Sequence, residues 1–72
     1  MQYEKNTIYV VTCNKPVVIK TKASDDGVDV TTLPPGHGIR CISYTTDDNG
    51  DIWLRIELGW VRATKGEEIF IQ

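Results

Sequence analysis

The chain has 72 residues, with ten acidic and eight basic side chains, two cysteines and one histidine. That length fits one small domain, whose folding buries only about 60% of the unfolded surface and leaves a stability of about a few kcal/mol rather than tens. The slight acidic excess argues against a nucleic-acid binder, which carries a basic face, and no apolar run is long enough to cross a membrane.

The opening Met1-Gln2-Tyr3-Glu4-Lys5 has no apolar leader character. Cys13 and Cys41 belong to no Cys-x-x-Cys pair, and both fall in strand-like stretches. Two small core residues in a reducing compartment, the cytoplasm, are the expectation. A disulfide between neighbouring strands is the alternative. Zinc would need two more ligands, and His37 is the one other soft donor.

Thr7 to Cys13 (TIYVVTC) is rich in β-branched and aromatic residues and reads as a first strand. Asn14-Lys15-Pro16 ends it, because Pro16 has no N–H to donate. Val17 to Lys22 (VVIKTK) is the next strand, with Val17 and Ile19 inward. Ala23 to Asp29 (ASDDGVD) is a loop of residues that favour local hydrogen bonds. Val30 and Leu33 return the chain to the core. Leu33-Pro34-Pro35-Gly36 is a turn, and Ile39 to Thr46 (IRCISYTT) is one strand with Ile39 and Cys41 inside and Arg40 and Tyr44 outside. Asp48-Asn49-Gly50-Asp51 is a tight reversal. Ile52, Leu54 and Ile56 then alternate with Trp53, Arg55 and Glu57, the period-two pattern of a half-buried strand. Leu58-Gly59 reverses the chain again, and Trp60 to Ala63 forms the partner strand. Thr64-Lys65-Gly66 is a turn or a short helical turn, and Glu68 to Ile71 is a last short strand paired with the first. No window has helical spacing. Five or six short strands in residues 1–72 predict an all-β single domain, a small barrel whose closure protects its edges.

This order of features resembles the bacterial-type SH3 domain (SH3b), a variant of the SH3-like small barrel. Val17-Val18-Ile19-Lys20-Thr21-Lys22-Ala23-Ser24 stands where that family has a Leu-Asn-Val-Arg-Ser-Gly-Pro-Ser strand. Leu33-Pro34-Pro35-Gly36 matches its Leu-x-x-Gly loop end, and Ile39-Arg40-Cys41-Ile42 the strand after it. Gly50-Asp51-Ile52-Trp53-Leu54-Arg55-Ile56 and Gly59-Trp60-Val61 are similar to its tryptophan strand and its Gly-Trp-Val strand. The resemblance runs from about Val10 to Ile71. It implies an SH3-like barrel and, through the SH3b family, a cell-wall module that holds peptidoglycan for a hydrolase. Beside eukaryotic SH3 domains, Trp53 stands at the groove tryptophan and Asp25, Asp26 and Asp29 resemble the acidic RT loop. The flanking tyrosines of that groove are absent.

The residues point to a recognition surface rather than to catalysis. Trp53, Arg55 and Glu57 share one strand face, and a two-residue Leu58-Gly59 loop would set Glu57 opposite Trp60, with Arg62 on the same side. Both indoles are thus expected outside, and aromatic and arginine side chains dominate binding hot spots. Tyr44 extends that face, and Asp25, Asp26 and Asp29 would select basic flanks. The ligand-binding set is therefore Trp53, Tyr44, Trp60, Asp25, Asp26, Asp29 and Arg55. The expected partner is a peptide or protein surface, with peptidoglycan as the second class and packing inside a larger protein as the third. A methyl-lysine cage has too few converging aromatics. Asp47, Asp48 and Asp51 read as a solvated turn. A calcium loop around Gly50 would put Thr45 and Ile56 at ligand positions, which excludes it. His37 has no nucleophile or carboxylate partner in the sequence, so no enzyme, cofactor or metal is expected.

Overall fold

Successive side chains of a strand point to opposite faces, so alternation decides what this chain buries. A computed structural model describes residues 3–72; Met1 and Gln2, where the leader-free start was read, lie outside the described residues. The described chain is all-β and has no helix. Among the described residues nine strands follow in order: β1 Thr7–Val10, β2 Val17–Lys20, β3 Asp29–Leu33, β4 Gly38–Cys41, β5 Ser43–Thr46, β6 Ile52–Ile56, β7 Gly59–Arg62, β8 Thr64–Lys65 and β9 Glu68–Ile69. All their pairings are antiparallel.

The main sheet has five strands in the order β3-β2-β7-β6-β5, and β1-β4 and β8-β9 are two-stranded sheets. Among the described residues these sheets do not join into the closed ring expected from sequence. The strand expected over Ile39 to Thr46 breaks at Ile42. Before the break β4 pairs with β1, and after it β5 pairs with β6. The Ala23–Asp29 loop gives way to β3, and the turn expected at Thr64-Lys65-Gly66 is instead a strand, β8, that reverses through Gly66 into β9.

The core gathers the inward residues of these sheets: Val17, Ile19, Leu33, Ile39, Cys41, Leu54, Ile56 and Val61. Burial of each such aliphatic side chain stabilises the fold by about 1.5–3 kcal/mol. Val30 does not join them. The β2–β3 register shifts between Ile19 and Lys20, and Val30 falls at that irregularity, exposed. Tyr3 enters the core from outside any strand. Its ring meets Tyr9 edge-on at 5.0 Å, and its hydroxyl donates to the Ile71 carbonyl. The last strand, expected over Glu68 to Ile71 against the first, is β9 and pairs with β8 instead; the residues after it meet the end of the first stretch, where Val11 bridges Ile71 and Gln72 N donates to Val10 O at 2.9 Å.

Gly59 explains how β2 and β7 come together. A Cβ there would lie 2.5 Å from the Lys20 carbonyl oxygen, so any other residue would push β7 off β2. This close approach places the outer side chains of the three central strands in one surface.

Candidate functional site

Directly opposed residues of an antiparallel pair share a face. The β6–β7 register sets Trp53 opposite Arg62 and Arg55 opposite Trp60. The β2–β7 register adds Lys20 opposite Trp60. These five residues therefore lie together on the side turned away from Leu54 and Val61, which oppose each other on the inner side. Both indoles fall on the outer face, as expected. The two-residue loop sits one residue earlier than expected: Ile56 opposes Gly59, so Glu57-Leu58 is the loop and Arg55 takes the place opposite Trp60.

An exposed Trp53 is corrected by the structure. Its side chain belongs to the outer face yet is only 1% exposed, and it stands apart from the main core cluster. Two flanking groups seal it. The Arg62 guanidinium carbon lies 4.5 Å from the ring centroid, and Nε1 donates to Asp47 Oδ2 at 3.0 Å. Stacking a cation on an indole face is favourable and more so where water is excluded.

Arg62 is fixed in turn by three carboxylates from two places in the chain, the loop after β2 and the turn before β6. Its Nη1 donates to Asp51 Oδ2 at 2.9 Å and its Nη2 to Asp25 Oδ1 at 2.8 Å, while Asp47 Oδ2 lies 3.6 Å away. Asp51 is 7% exposed, and its second oxygen accepts from Gly66 N at 2.8 Å. A buried carboxylate needs such partners. Asp47 Oδ1 accepts from Asn49 N and Asp51 N at 2.9 and 3.0 Å, the side-chain-to-backbone pattern that closes the turn before Gly50. The Trp53 indole N–H, with those two amides and Arg62, holds the Asp47 carboxyl below its usual value against the opposing effect of burial.

The remaining expected residues divide. Asp25 reaches Arg62, but Asp29 instead pairs with Lys20 at 2.7 Å, and Asp26 is exposed with no part in the cluster. Two of the three carboxylates of the acidic loop are thus already paired with cations of the main sheet. Tyr44 opposes Leu54, so it stands on the other side of the sheet from Trp53, half exposed at the β5 edge. The break at Ile42 resets the alternation and carries Tyr44 off the expected face. Trp60 is half-buried, with the Arg55 guanidinium 5.9 Å from its ring centroid. Asp47, Asp51 and Arg62 complete the cluster and were not among the expected site residues. The available signal was their position, around an Asn-Gly turn and on the tryptophan face.

Beside this cluster lies an open depression of about 1140 Å³, walled by Pro16, Val18, Phe70, Asp51, Arg62 and the edge of Trp53. Both thiols are free: Cys13 Sγ donates to Lys15 O at 3.1 Å, and Cys41 Sγ to Ser43 O at 3.3 Å. Burial pushes the Cys41 thiol up. No family model, curated protein or solved structure matches the chain.

Proposed function

We propose that this chain is a non-catalytic recognition module, an SH3-like small barrel that holds a peptide or protein segment in the depression beside Trp53. One observation carries this: Arg62, at the depression's wall, stacks on a sealed indole and is held by Asp25, Asp47 and Asp51. A side chain already ordered in the free protein loses little freedom on binding, and such preorganisation favours affinity. Pro16, Val18, Ile69 and Phe70 supply apolar surface around it. An extended segment with an apolar or proline residue would lie on those side chains and turn its carbonyls toward Arg62 and Lys65. Trp53 then acts as a support for Arg62 rather than as a ligand contact, and Trp60, Arg55 and Lys20 extend the outer face. The carboxylates of the cluster face Arg62 and backbone amides, an arrangement suited to rigidity rather than to acid–base work.

The test is a two-dimensional amide spectrum titrated with proline-rich peptides, basic peptides and peptidoglycan fragments. Shifts at Arg62, Phe70 and the Trp53 indole with a peptide are expected. Shifts with wall fragments alone would replace the peptide by the cell wall. No shift at these residues with any probe would overturn the proposal and leave a domain that packs within a larger protein.

A further inference from the structure

Several exposed apolar side chains lie outside the depression beside Trp53. Ile8 and Leu58 are 58% and 59% exposed, and Ile42 is exposed as well. Ile8 opposes Arg40 in the β1–β4 pair and reaches over Gly38, 3.7 Å from where a Cβ would stand. Ile42, Leu58, Arg40 and Glu57 border a second depression, of about 380 Å³, whose inner wall is made by Leu33, Ile39 and Ile56. It shares no wall residue with the depression beside Trp53.

Charge identifies the occupant. Among the described residues the salt bridges are all made by Lys20 and Arg62, on the outer face of the main sheet, and neither lines this depression. Arg40 and Glu57 are exposed and make none. One unpaired cation and one unpaired anion thus border the same apolar hollow. In a twofold pair every contact occurs twice with the roles exchanged. A border with one charge of each sign therefore complements itself: Arg40 of one copy meets Glu57 of the second, and Glu57 meets Arg40. The same rotation lays Leu58 and Ile42 of each copy over the other's hollow and removes their apolar surface from water.

We infer that this patch joins two copies of the chain in a weak symmetric dimer. The dimer leaves the depression beside Trp53 open on both copies, so two linked sites would engage a repetitive ligand together. The inference is independent of what that depression binds.

The test is sedimentation of the whole chain from about 10 µM to about 1 mM, the range in which weak association becomes visible. A dimer that grows across this range is expected. Arg40→Glu and Glu57→Arg, each at an exposed side chain, should each weaken it by at least about tenfold, since like charges are then opposed twice. An equimolar mixture of the two variants should restore it, because each copy supplies the charge the other lacks. Leu58→Asp, in the exposed hairpin loop, should abolish it. A monomer throughout, association that survives the reversals or Leu58→Asp, or a mixture no better than the single variants would overturn the inference.

Discussion

The two faces of the β6–β7 hairpin are made of neighbouring residues in one register, and different forces hold them. Inward, Leu54 opposes Val61, and both are fully buried among aliphatic side chains. Outward, Trp53 opposes Arg62, and one indole is sealed by a guanidinium and the carboxylates around it. The inner face needs shape and gains from every methylene. The outer face needs partners, because each of its buried charges is costly alone. A strand pattern therefore places a residue on a face without saying what will cover it.

The largest effect should come from the inner face. Leu54→Ala should lose about 2–5 kcal/mol in urea unfolding, much of the stability of so small a domain. A loss under about 1 kcal/mol would make the inner face a dispensable one. Arg62→Ala comes next, at about 2–3 kcal/mol, because it strips charged hydrogen bonds from buried Asp51 and uncovers the indole. Arg62→Lys should not recover it, since an ammonium cannot stack flat or fork between carboxylates. A full rescue by lysine would reduce the cluster to a simple charge effect. Trp53→Phe keeps an aromatic ring and removes the donor to Asp47, so about 1–2 kcal/mol should go.

The smallest effect at neutral pH, and the sharpest contrast between faces, is titration. Folding lowers the Asp47 pKa, so its contribution is present above the ordinary carboxylate value and is lost as pH falls through the folded one. The thermal midpoint should decline below about pH 4, and less steeply in Asp47→Asn. On the inner side, burial foremost, with Tyr9 and Cys41 adding to it, raises the Tyr3 pKa. That contribution is present below the ordinary tyrosine value, about pH 10, and is lost as pH rises through the folded one. Tyr3→Phe should flatten the alkaline decline and leave the acid one unchanged.

The inner face was legible in the sequence because it is local. Ile19, Ile39, Cys41, Leu54 and Val61 are buried where alternation puts them, and the Asn49-Gly50 turn lies where its residues require it. The outer face was legible only as a side. Trp53 and Trp60 share it, but the seal over Trp53 joins Arg62 to Asp25, 37 positions away, and no periodicity reports such a contact. Tyr3 was missed for the same reason, since its hydroxyl meets a carbonyl 68 positions on. Tyr44 was misplaced by a single irregular residue, Ile42, which turns all later side chains of that stretch to the opposite face. Val30 was misplaced by the bulge between Ile19 and Lys20.

The most direct test compares the two indole N–H groups by hydrogen exchange. Trp53 Nε1 donates to Asp47 beneath Arg62, and among the described residues Trp60 Nε1 has no protein acceptor. The Trp53 proton should exchange at least about 100-fold more slowly than that of Trp60, as expected of a group freed only by opening of the structure. Equal, rapid exchange of both protons would mean that Trp53 is not sealed and would contradict the account at its centre.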